Sequence, residues 1–247
     1  MDTWMAGLDF ETWQFAVAVL VLVVAGAVQG STGFGFNSLA APVLAIITPA
    51  FIPGPMLLIS LMVSVSGMIR EWGQVDFSGL STALIGRLAA SIIAVLCLGL
   101  LDATMFSRLF GAMVLLAVAM SLSGIRIQPT PRTLFFAGSL SGFMGTLTSI
   151  GAPPMAMAYQ NVHGSVMRST LNSFFVAGAF FSIVALVVSG HFTFDDLILG
   201  IVMCPFAFAG FLFSHWGRLL VDGGWARSFI LGTSAASGAF LIARTVW

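Results

Sequence analysis

Apolar runs fall along the 247 residues at roughly 13–30, 35–48, 54–69, 79–101, 104–124, 133–147, 152–161, 168–190, 195–214 and 226–245. Within each run the hydrophobic residues are continuous and do not alternate, which predicts helices and argues against a membrane β-barrel. Crossing a hydrocarbon layer of ~30 Å takes about 20 helical residues. The runs at 35–48 and 152–161 are too short for that, so each predicts one arm of a hairpin formed with the run before it. Three full runs follow each hairpin. The expected fold is an all-α, polytopic helical membrane protein of two repeats, 1–128 and 129–247. Each repeat is a broken-helix hairpin plus three transmembrane helices. A hairpin returns to the side it left and three spans change side, so the repeats are expected to be inverted.

Composition narrows this further. The chain is 59% hydrophobic and 7% charged, with a mean hydropathy of +1.06. A soluble domain carries roughly 25% charged residues, so membrane lipids are the expected surroundings. All nine basic residues are Arg and they form no cluster, which excludes a nucleic-acid partner. Cys97 and Cys204 fall in separate apolar runs and read as core filling, with no metal or other cofactor expected. The six Trp (Trp4, Trp13, Trp72, Trp216, Trp225 and Trp247) lie near run ends or in the tails, where amphipathic rings favour the interface.

Charge also predicts orientation. With the N-terminus outside, Arg70, Arg126, Arg132, Arg168, Arg218 and Arg227 face the cytoplasm, while Asp2, Asp9, Glu11, Asp102, Asp195 and Asp196 face out. Only Arg108 and Arg244 disobey. No Arg precedes Arg70, so the run from Trp13 lacks the positive flank of a secretory signal and reads as a retained first span.

Two glycine-rich motifs interrupt the apolar runs at matching places. One reads Gly30-Ser31-Thr32-Gly33-Phe34-Gly35-Phe36-Asn37-Ser38, with Pro42 behind it. The other runs from Gly138-Ser139-Leu140-Ser141-Gly142-Phe143-Met144-Gly145 through Thr146, Thr148 and Ser149 to Gly151 and Pro153-Pro154. Paired broken segments in two halves point to a transporter's central site. Asn37 or Ser38, and Thr148 or Ser149, are expected to N-cap the helix that follows each break. Two helix N-termini would then meet near the midplane, each with about half a positive charge and spare N–H donors. The candidate anion-binding residues are Gln29, Ser31, Thr32, Gly33, Phe34, Asn37, Ser38, Gly142, Thr146, Thr148 and Ser149. The competing explanation is that the small residues only let helices pack closely.

Arg87 is the basic residue clearly inside a span. It either faces a cavity and pairs a substrate anion, or snorkels to the surface about 12 Å away along the helix. Gln160, Asn161, His163, Asn172 and Ser173 read as capping and loop residues, with an inner vestibule as the alternative. Every carboxylate falls at a run end or in a loop, so the usual proton or Na⁺ ligand inside the membrane is missing. Weaker repeat signals are Phe77-x-x-Leu80 with Phe194-x-x-Leu197, and Arg108-x-Phe110 with Arg227-x-Phe229.

The two motifs, Gly33-Phe34-Gly35 with Pro42 and Gly142-Phe143-x-Gly145 with Pro153-Pro154, resemble those of the sulfite exporter TauE/SafE family, also called the toluene-sulfonate uptake permease family. The resemblance covers nearly the whole chain. It implies a multi-pass carrier in the bacterial inner membrane, both termini periplasmic, for sulfite, sulfoacetate or another small organic or inorganic sulfur anion. Members of the family often carry a further Gly where this chain has Phe36. A homodimer is compatible with the sequence.

Two other classes compete with a carrier. A passive anion channel fits the missing coupling acid. An intramembrane enzyme fits poorly: Gly138-Ser139-Leu140-Ser141-Gly142 has Leu at the nucleophile position, and no His-Glu-x-x-His is present. No catalytic residue is expected.

Overall fold

A computed structural model describes the backbone of residues 11–125, 127–221 and 225–244, and their side chains except at 215–230. Regular structure among the described residues is all helical. The order is α1 (Thr12–Thr32), α2 (Phe36–Ile47), α3 (Gly54–Glu71), α4 (Phe77–Leu98), α5 (Ala103–Leu122), α6 (Pro131–Thr148), α7 (Ala152–Tyr159), α8 (Gly164–Val188), α9 (Phe194–Val221) and α10 (Trp225–Arg244). Single 3₁₀ turns lie at Pro49–Phe51 and Trp72–Gln74. Six helices are long and apolar enough to cross a membrane among the described residues, whereas α2 has only 12 residues and α7 only 8. The sidedness expected for Asp2, Asp9, Arg126, Arg218 and Arg227, the interfacial role of Trp4, Trp216, Trp225 and Trp247, and the side chains of Arg227 and Phe229 lie outside the described residues.

Local chemistry sets the helix ends. The Asp76 carboxylate accepts the Gly79 N–H at 3.0 Å to start α4, and Asp102 accepts the Met105 N–H at 2.7 Å to start α5. Thr130 and Thr133 cap each other before Pro131 opens α6. Ile85, Ile92, Ile93 and Leu96 of α4, and Leu212 and Phe213 of α9, are left exposed. Such apolar faces suit lipid.

The helices pair in an exchangeable way. α1 lies along α9 and α6 along α4; α3 crosses α8; α5 packs on α10; α2 touches α10 while α7 touches α5. Swapping α1–α5 for α6–α10 maps this list onto itself. Glycines set the two long contacts. A Cβ on Gly26 would lie 2.1 Å from the Ala207 carbonyl oxygen, and one on Gly138 would lie 2.1 Å from that of Ala83. One turn on, Gly30 rests against the Ser214 side chain and the Phe211 carbonyl, and Gly142 against Arg87. Gly26 to Gly138 and Gly30 to Gly142 are both steps of 112 residues, and Ala83 to Ala207 and Arg87 to Phe211 are both steps of 124. Phe211 thus occupies in one contact the position that Arg87 holds in the other. Phe77 and Phe194 each open their helix, yet their 117-residue step is two helical turns off the packing register. That sequence match marks helix starts and not equivalent contacts.

Candidate functional site

The first break follows from two left-handed residues, Gly33 (φ 83°) and Gly35 (φ 102°), a conformation only glycine adopts without strain. The second break turns at Ser149 (φ 63°), which keeps its hydroxyl on the Pro53 carbonyl at 3.1 Å. The expected N-caps are corrected here. Gly35 and Gly151 hold the cap positions, and neither has a side chain to accept a first-turn N–H. Asn37 and Ser38 fall within the first turn of α2, while Thr148 is the last residue of α6 and Ser149 its C-cap. The reason is geometric: the chain reverses at the residue next to the helix, so the cap position goes to glycine.

Gln29 supplies the missing cap from the preceding helix. Its Oε1 accepts the Phe36 N–H at 3.2 Å. Among the described residues, the other first-turn N–H groups of α2, on Asn37 and Ser38, have no protein acceptor. The start of α7 is different. Pro153 and Pro154 directly follow Ala152, so two of its first three residues have no N–H.

Both helix starts border one cavity of about 30 Å³, lined by Gln29, Gly35, Phe36, Asn37, Leu57, Ser60, Ser64, Arg87, Ser149, Gly151, Ala152, Phe175 and Ala179. At about 10–15 Å³ per molecule this holds two or three waters. It sits halfway along the bundle: Arg87 is the eleventh of 22 residues in α4, and the lining residues of α3 and α8 straddle the middles of those helices.

Arg87 is the one titratable side chain in the lining. It is 3% exposed and does not run to its helix end. The guanidinium stacks on the Phe174 ring at 4.8 Å, and Nη1 donates to the Ser141 hydroxyl at 3.2 Å. Its Nε lies against α8 at Gly178, where any Cβ would overlap it, and is buried without an acceptor. Nη2 lies beside the Gly145–Gly151 contact, next to the proline-led start of α7. Among the described side chains no carboxylate pairs with it, and the ion pair found there is Arg168–Glu71, at 3.0 Å. Asn37 makes no side-chain hydrogen bond, and its Oδ1 is buried. An unpaired charge in a dry interior is costly, and a bound anion would offset that cost.

Of the residues predicted from sequence, the cavity brings together Gln29, Asn37, Arg87 and Ser149. The others are placed elsewhere. Ser31 bonds the Ala27 and Ser214 carbonyls, and Thr32 bonds Val28. Gly33 backs onto the Arg168 side chain, Phe34 joins the cluster around Tyr159 and Phe174, and the Ser38 carbonyl takes the Ser234 hydroxyl at 2.6 Å. Gly142 lets α6 approach Arg87; Thr146 shares a buried hydroxyl cluster with Ser91 and Ser182; Thr148 bonds Met144. Sequence reasoning missed Ser60 and Ser64. A signal for them existed: Ser60, Ser64 and Gly67 recur at helical spacing along one face of α3. Phe175 and Ala179 carried no such mark.

Comparison with known proteins adds the family. The chain matches the family model for sulfite exporter TauE/SafE over residues 18–241. Searches of curated proteins and of solved structures gave no match. With all but its two tails matched, the chain belongs to the sulfite exporter TauE/SafE family.

Proposed function

We propose that this protein exports a small sulfur oxyanion, sulfite best of all, by alternating access around the Arg87 cavity. The observation that carries this reading is Arg87 itself: a cation buried midway along the bundle, with no acid partner, in a cavity where both broken helices begin. Sulfite offers three acceptor oxygens. Arg87 meets one side, and the free N–H group of Asn37 at the positive end of α2 meets the other. The Ser60, Ser64 and Ser149 hydroxyls complete the shell. The cavity volume of about 30 Å³ suits sulfite better than an aromatic sulfonate.

The exchangeable packing supports two related repeats, 1–128 and 129–247, and in this reading a hairpin plus three spans in each makes them inverted. The end of the bundle carrying Glu71 and Arg168 faces the cytoplasm of a bacterial inner membrane, with both termini periplasmic. Flux into proteoliposomes tests the proposal, comparing sulfite and sulfoacetate with acetate, phosphate and p-toluenesulfonate, with and without a pH gradient. Saturable flux led by sulfite is expected. Non-saturable flux without selectivity would favour a passive channel, and no flux of any anion would overturn both.

A further inference from the structure

At the cytoplasmic end of the proposed cavity, α1, α3 and α8 are joined by a continuous polar chain. The Arg168 Nε–H donates to both Glu71 carboxylate oxygens, at 3.0 and 3.1 Å, tying the start of α8 to the end of α3. The Asn172 amide donates to the Arg168 carbonyl at 2.8 Å and accepts from Gln29 Nε2 at 3.1 Å. Below this pair the two helices touch closely, for a Cβ on Gly67 would lie 2.7 Å from the Asn172 amide. Arg70 donates to the Gly30 carbonyl at 2.6 Å, fastening α1 to the same end of α3. The opposite end of the same helix pair is closed by apolar side chains instead: Leu57, Val95, Ala179 and Leu186.

We propose that Arg168–Glu71 is the latch of the cytoplasmic gate, and that Gln29, through Asn172, transmits cavity occupancy to it. This rests on the transport reading above. Gln29 lines the cavity, and both of its amide N–H groups are engaged, one on Asn172 and one on the Gly33 carbonyl at 3.3 Å. An anion that recruits Gln29 must therefore take a donor from one of them. Losing the bond to Asn172 frees the first turns of α8, and with them Arg168. Water then competes for the ion pair, which is already partly exposed. A polar latch can open into water without leaving apolar surface wet, so this end has the lower barrier to opening. By linkage, a broken latch must in turn change anion affinity.

The test is a distance measurement between spin labels at Gln74 and His163, both exposed and both beyond the latch, in the full-length protein in nanodiscs. Without sulfite, the wild type gives one short distance; sulfite adds a longer one. Glu71→Gln shifts the population toward the longer distance about tenfold without sulfite, the factor equivalent to about 1.4 kcal/mol. The exchanged pair Glu71→Arg with Arg168→Glu restores the short distance. Asn172→Leu still binds sulfite, but its distance distribution no longer responds. An unchanged distribution in Glu71→Gln would overturn the latch, and a normal sulfite response in Asn172→Leu would overturn the relay. Sulfite that fails to bind the wild type would sink the transport reading, while the Glu71→Gln result would still decide the latch.

Discussion

The two breaks share a plan but supply different chemistry to the cavity. At the first, two glycines reverse the chain and α2 opens with N–H groups, of which only Phe36's is taken. At the second, a serine reverses the chain and α7 opens on Ala152 followed by Pro153-Pro154, which have no N–H to donate. The helix contacts beside the breaks differ in the complementary sense. Gly30 packs on Phe211, whose ring is covered by Arg70 at 4.8 Å. Gly142 packs on Arg87, which reaches into the cavity next to the donor-poor helix. Where the backbone lacks donors, a guanidinium replaces them. The pairing of helices is exchangeable but the site is not: the α2 backbone donors and the Arg87 charge both come from residues 1–128, while the second break brings Ser149, Gly151 and Ala152 to the cavity.

The most direct way to break this comparison is to remove the charge. Arg87→Gln should lower sulfite affinity at least thirtyfold, in line with about 2 kcal/mol or more for one partner of a buried charge pair. Phe211→Leu, at the corresponding position, should leave affinity unchanged; titration calorimetry in detergent reads both. Next comes the seat of the guanidinium. A Cβ on Gly178 would lie 1.7 Å from Arg87 Nε, so Gly178→Ala should displace the charge and weaken binding about tenfold. Gly210→Ala brings a Cβ to 1.9 Å from the Val23 carbonyl oxygen in the other contact. It should cost about 1–3 kcal/mol of stability, read as a lower Tm, with affinity retained.

A sharper probe restores the missing donor. Pro153→Ala gives α7 an N–H at the cavity and should raise sulfite affinity about threefold, partly relieving dependence on Arg87. No gain would mean that the start of α7 does not face the anion. The smallest effect concerns the turn. Ser149→Ala keeps the left-handed strain and loses the bond to Pro53, whereas Ser149→Gly loses the bond but is also relieved of the strain. The glycine variant should therefore be the more stable by about 1 kcal/mol.

The architecture was legible because lipid forces it. Continuous apolar runs must be helices, and runs shorter than about 20 residues cannot cross, so the hairpins at α2 and α7 followed from length alone. Arg87 was legible for a related reason: an unpaired charge inside a span needs an explanation. The capping residues were misread because Asn, Ser and Thr are the usual caps. Here the reversal put glycine at the cap, and Gln29, a turn and a half upstream, took over the role. Ser31, Thr32 and Thr148 turn away from the cavity because a hydroxyl in a helix readily bonds its own backbone carbonyl, and Thr146 bonds the Ser91 and Ser182 hydroxyls instead. The latch could not be seen at all, because Glu71 and Arg168 are distant in sequence and meet only when α3 crosses α8.

The measurement that tests the central claim most directly is counterflow of labelled sulfite in proteoliposomes, run in parallel for wild type and Arg87→Gln. Both proteins must first elute as a single folded species. The account predicts saturable sulfite counterflow in the wild type and its near-complete loss in the variant. Equal counterflow in the two would contradict it, leaving Arg87 as a packing element and the cavity as a gap between helices.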